Sequence, residues 1–110
     1  MERLMEGPNE SDWQLIPEHI RESVKNYIED GCPVGDFLQA VIRNELCEAV
    51  GRADSINRNR LYDIIYFFYN FAPGACWGSP EKMQAWMEMH RKERDLVHQL
   101  ILKCLPRSST

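Results

Sequence analysis

A chain of 110 residues with 44% hydrophobic and 27% charged residues has room for one domain with a core, and is too apolar for a disordered polypeptide. Its formal net charge of −4 argues against a protein that coats nucleic acid through bulk charge. No stretch approaches the ~20 apolar residues of a membrane span, and the polar, acidic opening lacks the apolar segment of a signal peptide, so the expectation is a cytoplasmic protein with no membrane partner.

The four cysteines, Cys32, Cys47, Cys76 and Cys104, are scattered singly, without the short-spaced pairs of a zinc site or the density of a small secreted scaffold. They read as free thiols that serve as small core residues in a reducing compartment.

Residues 1–12, with Gly7-Pro8-Asn9 and several acids, read as a flexible leader; a single helical domain follows over 13–105, and 106–110 is a serine-rich tail. Ile16, Ile20, Val24, Tyr27 and Ile28 recur at helical spacing, opposed by Glu18, Arg21, Glu22, Lys25 and Glu29. Pro17 suits the first turn of that helix and Gly31 its end. After Cys32-Pro33-Val34-Gly35, Asp36 suits the cap of a second helix carrying Phe37, Leu38, Val41 and Ile42 on one face. That helix either ends at Asn44 or continues through Leu46, Cys47, Ala49 and Val50 to Gly51. Asp54 or Ser55 caps a third helix over 56–71, in which Leu61, Ile64, Ile65, Phe67, Phe68 and Phe71 cover most of the circumference, so other helices must bury it.

Ser79-Pro80-Glu81 opens a fourth helix with a cap, a first-turn proline and a first-turn acid. One apolar stripe on it holds Met83, Trp86, Met87 and His90, then Arg91-Lys92-Glu93-Arg94-Asp95 interrupts, and a second stripe holds Leu96, Val97, Leu100, Ile101 and Cys104. The pattern is all-α: a compact bundle of four to five helices with a long C-terminal helix, no strand and no repeat. Because such a body is complete by about His90, the 90–105 extension is free for another chain, and a homo-oligomer is the expectation. The alternative is that the stripe folds back on its own core.

Candidate binding residues cluster in Gly51-Arg52-Ala53-Asp54-Ser55-Ile56-Asn57-Arg58-Asn59-Arg60. Arginines and asparagines at a helix N-terminus suit an anion, because the free N–H groups and the helix dipole favour negative charge and the guanidinium fork fits phosphate. Arg52, Arg58, Asn59 and Arg60 form this set, with Tyr62 as a flat surface for a base. Trp77 and Ser79, just before the fourth helix, could add an indole and a hydroxyl. The competing readings are structural: arginines paired with Glu45, Glu48 and Asp54, and Trp77 as a plug at one end of the core. His90 with Glu93 and Asp95 with His98 share one helix, which is not the ligand set of a di-metal bundle. No residue set suggests catalysis, a metal or a cofactor.

Several stretches together resemble a group of small proteins from tailed bacteriophages and prophages. They are Pro17-Glu18-His19-Ile20, Tyr27-Ile28, Gly35-Asp36-Phe37-Leu38-Gln39-Ala40-Val41, Asn44-Glu45-Leu46, Arg52-Ala53-Asp54, Phe68-Tyr69-Asn70 and Trp77-Gly78-Ser79-Pro80-Glu81-Lys82, then Trp86. The resemblance covers residues 17–87 and implies an origin, with no established activity. Small phage proteins often act against host systems, some by sequestering nucleotide immune signals and others by blocking a host protein. The expectation is therefore a non-catalytic accessory protein in the bacterial cytoplasm that binds a nucleotide-type signalling ligand. The alternative is an inhibitor or adaptor that binds a host protein through the C-terminal helix or the acidic face of the first helix.

Overall fold

Three backbone breaks, at Gly31, Asn44 and Arg60, decide where several helices of this chain stop. In the computed structural model, which describes residues 8–104, the elements are α1 (Glu10–Trp13), α2 (Glu18–Asp30), α3 (Asp36–Ile42), α4 (Leu46–Arg52), α5 (Ser55–Asn59), α6 (Leu61–Phe71), a 3-10 turn (Gly74–Cys76) and α7 (Pro80–Cys104). The fold is all-α with a long C-terminal helix, and no strand occurs among the described residues.

Asn44 settles the open question about the second helix. Its φ of 63° is left-handed, a conformation that asparagine tolerates better than most residues. The chain turns there, Glu45 N–H bonding Ala40 O at 2.9 Å, and α4 starts afresh at Leu46. The single helix expected over 56–71 is in fact two. Arg60, at φ −112° and ψ 14°, leaves helical geometry between α5 and α6, and its side chain bonds the Gln14 and Leu15 carbonyls as well as Asp63 in the first turn of α6.

Order also begins earlier than Trp13. Asn9 and Asp12 form a reciprocal capping box on α1, each side chain accepting the other's backbone N–H at 2.9–3.0 Å. This lies inside the stretch expected as a leader. Residues 1–7, Leu105 and the 106–110 tail lie outside the described residues. Trp13 then packs on α6, its ring 4.7 Å from that of Phe67, with the Lys25 ammonium over the indole at 5.1 Å.

The core is built from Ile16, Val24, Tyr27, Val41, Ile42, Ile64, Phe67 and Phe68, all fully buried. Phe67 and Phe68 meet edge to face at 5.7 Å. α7 docks on α2 through Trp86, whose indole N–H donates to Tyr27 O at 3.0 Å. The helices come close here: Gly31 ends α2 at φ +67°, and a Cβ on it would lie 2.7 Å from His90 Cβ.

α7 runs unbroken for 25 residues, but apart from the Arg94 guanidinium, which reaches the Asp30 carbonyl, its packing against the body is confined to its first half. Met83 is buried and Trp86, Met87 and His90 half-buried, whereas every residue from 91 to 103 is exposed. The second stripe does not fold back on the core. The resulting overhang stretches the molecule to 57 × 31 × 24 Å. No helix among the described residues is long and apolar enough to cross a membrane.

Phe67→Ala or Phe68→Ala should each destabilise the fold by about 3–5 kcal/mol, since each empties a fully buried site. Gly31→Ala should cost at least about 1 kcal/mol from the left-handed backbone alone, with the His90 clash added. Urea denaturation of the three variants measures both.

Candidate functional site

The arginine cluster sits at the joints between short helices, and the joints use most of it. Asp54 caps α5, its carboxylate accepting the Asn57 N–H at 2.7 Å. That hydrogen bond, helped by His19 at 3.0 Å, holds the Asp54 carboxyl below its ordinary range. Arg52, the last residue of α4, donates to Glu48 at 2.9 Å and to Asp36 at 3.3 Å. It borders a cleft of about 170 Å³ whose lining also holds Arg43 and Glu45, so three carboxylates already face two guanidinium groups. An incoming phosphate would have to displace Glu48 and Asp36.

Arg60 is a clamp. Its Nη2 donates to the Gln14 and Leu15 carbonyls at 2.9 and 3.2 Å, and its Nε donates to Asp63 at 3.0 Å. The guanidinium thereby ties the segment after α1 to the start of α6. Ser79 is engaged too: its hydroxyl accepts the Lys82 N–H at 3.1 Å and caps α7. Trp77 lies half-buried with its ring 5.8 Å from Phe68, and the next residue, Gly78, donates its N–H to Ile42 O at 2.7 Å. The indole sits against the core, as a plug would.

These positions do not converge. Gly78 bonds the C-terminal end of α3, whereas Arg52 reaches Asp36 at its N-terminal end, a separation of about 9 Å along the helix. Arg60 points elsewhere again, toward residues 14–15. Of the seven candidates, Arg58, Asn59 and Tyr62 remain as exposed neighbours. Among the described residues Arg58 has no ion-pair partner.

A different surface comes together around Tyr62. Tyr62, Tyr66 and Tyr69 lie on one face of α6, opposite buried Ile64, Phe67 and Phe68, and Tyr62 and Tyr69 are each 77% exposed. The Tyr62 and Tyr66 rings stack at 6.0 Å. Ile65, at the edge of this face, meets Leu46 and Ala49 of α4 across a crevice of about 20 Å³. Leu46 is itself exposed, as is Val50 one turn further along α4. The tyrosines are visible in the sequence, whereas the one structural reading there for Leu46 and Val50 is the alternative in which the second helix continues through them.

A second feature lies at the other end of the molecule. A groove of about 620 Å³ opens beneath the α7 overhang, lined by Glu29 and Asp30 of α2 and by His90, Arg94, Val97 and Ile101 among others. No group of three or more His, Cys, Asp or Glu suited to a metal occurs among the described residues.

The thiols divide. Cys76 is buried, and burial pushes its thiol up to about 12, while Cys47 is exposed on α4 and so departs from the core role expected of it. In mildly alkaline buffer Cys47 should react with a maleimide within minutes and Cys76 only on unfolding, as peptide mass spectrometry resolves. Arg60→Ala should destabilise the fold by about 1 kcal/mol or more through its three hydrogen bonds. Arg58→Ala should stay within ~0.5 kcal/mol, as an ordinary surface change does; thermal melts separate the two. No protein-family model, curated protein or solved structure matches this chain.

Proposed function

We propose that this chain is a non-catalytic phage accessory protein that acts on its host by protein–protein contact, with the tyrosine face of α6 as its docking surface. The observation that carries the reading is the run of exposed Tyr62, Tyr66 and Tyr69, with exposed Leu46 across the crevice from Ile65 at its edge. A soluble domain gains nothing by leaving such a patch bare, and tyrosine, apolar in body and polar at its tip, is enriched where two proteins meet. Tyr62 and Tyr69 stand mostly in the open, which suits another protein better than a small molecule that must be enclosed. The phage setting rests on the resemblance of residues 17–87.

A second reading, sequestration of a nucleotide-type signal, keeps one specific support. Arg58 lacks an ion-pair partner among the described residues and lies four positions before Tyr62, whose ring is stacked on Tyr66. Such a pair could hold a phosphate and a base, with Asn59 beside them.

One set of variants separates the two. Tyr62→Ala combined with Tyr69→Ala should leave the melting temperature within the range of surface substitutions and abolish capture of a stoichiometric host protein. Leu100→Glu combined with Ile101→Glu should retain it. Equal capture by the tyrosine variant would overturn the docking face. Thermal stabilisation by a cyclic or linear nucleotide, lost in Arg58→Ala with about 1.5–3 kcal/mol of binding energy, would install the second reading instead.

A further inference from the structure

The α7 overhang presents Leu96, Val97, Leu100 and Ile101 at about half exposure each. At 100° per residue these four span an arc of about 140°, wide enough for the buried face of a bundle helix. Nothing in the described chain covers them. A helix carrying an apolar arc this wide ordinarily buries it, so the overhang calls for a partner.

The surroundings say what that partner carries. Within residues 91–104 four basic side chains, Arg91, Lys92, Arg94 and Lys103, outnumber the acids Glu93 and Asp95, although the whole chain is acidic. At the foot of the groove the balance is reversed. Glu29 and Asp30 occupy the last turn of α2, where the helix dipole disfavours carboxylates, and no basic residue lies in that turn. Arg94 already donates to the Asp30 carbonyl at 2.5 Å, which sets α2's end level with this part of α7. Each molecule thus holds a basic, apolar rod and, beside it, a helix end where Arg94 meets the carbonyl but the Glu29 and Asp30 carboxylates have no ion-pair partner among the described residues.

We infer that a second copy of this chain covers the overhang, the two α7 extensions pairing antiparallel about a two-fold axis. With Val97 of one copy opposite Ile101 of the other, Lys103 of the second copy falls level with Asp95, next to Glu29 and Asp30. The arrangement is reciprocal, so both apolar arcs and both acidic ends are satisfied at once and the assembly closes. An anionic membrane would suit the basic rod but not the carboxylates at its foot. The tyrosine face lies on α6 and plays no part, so this inference stands apart from the docking reading.

Sedimentation over micromolar to hundreds of micromolar protein tests it on the full chain. Wild type should be a dimer in equilibrium with monomer. Leu100→Glu combined with Ile101→Glu should be monomeric with its melting transition intact, because both positions lie outside the core. Lys103→Glu alone, and Glu29→Lys combined with Asp30→Lys alone, should each weaken the dimer about threefold or more, on the scale of exposed ion pairs. Mixed together, these last two should form a heterodimer in preference to either homodimer, since every charge contact is then restored. That preference reads the antiparallel register directly, and a merely structural role for these residues would not produce it. A wild type that stays monomeric, an assembly larger than two, a dimer indifferent to Leu100 and Ile101, or a mixture without heterodimer preference would each overturn the inference. So would a monomer that partitions onto vesicles of anionic lipid through the same residues.

Discussion

Tyr27 is the interaction on which the rest of this structure depends. Its side chain is fully buried, and its hydroxyl donates to Cys76 O at 2.7 Å, which fixes the 3-10 turn against α2. Its carbonyl accepts both the Gly31 N–H that closes α2, at 2.8 Å, and the Trp86 indole N–H that seats α7, at 3.0 Å. One residue thus ties three elements, and burial raises its phenol well above the ordinary tyrosine range. Because buried polar groups must be paired, these bonds leave α7 little freedom in how it crosses α2. The close contact of Gly31 with His90 marks the same crossing.

Two consequences follow from where that crossing falls. α2 ends at Asp30, so beyond His90 α7 keeps only the Arg94 bond to the Asp30 carbonyl and continues as an overhang. Meanwhile α6 buries Ile64, Phe67 and Phe68 against the body, and helical geometry turns its tyrosines outward. The two exposed surfaces therefore lie on different elements. In the proposed dimer the overhangs are consumed by self-association and two tyrosine faces remain on show, so any target with two matching sites would be bound with the advantage of a linked pair.

The arginines illustrate how a chain of short helices spends its polar residues. Each joint leaves backbone groups without partners, and each needs something to hold its angle. Arg60 bonds two carbonyls beside α1, Arg52 bridges α4 to α3, Asp54 caps α5 and Ser79 caps α7. A cluster that resembles an anion site in one dimension is thus largely a set of fasteners in three. Arg58 is the member left over, which is why the phosphate reading narrows to it and its neighbours.

The sequence by itself determined the all-α class, the apolar faces of α2 and α6, the capped start of α7 and the separation of its two stripes. These are local matters: a 3.6-residue period, a Ser-Pro-Glu start and a run of charge act within a few turns of chain. Only the tertiary structure decided that Asn44 and Arg60 break helices, because an asparagine can be left-handed or helical and an arginine leaves its helix for carbonyls 45 residues away. It alone decided that Leu46, Val50 and Cys47 face outward while Cys76 is buried, since a small apolar residue on a short helix carries no mark of which side its neighbours take. The place of Glu29 and Asp30 beside the overhang was equally invisible. Two acids at a helix end read as solvated surface until a helix residue 64 positions away reaches them, and contacts at that separation follow from how whole faces pack, not from any local pattern.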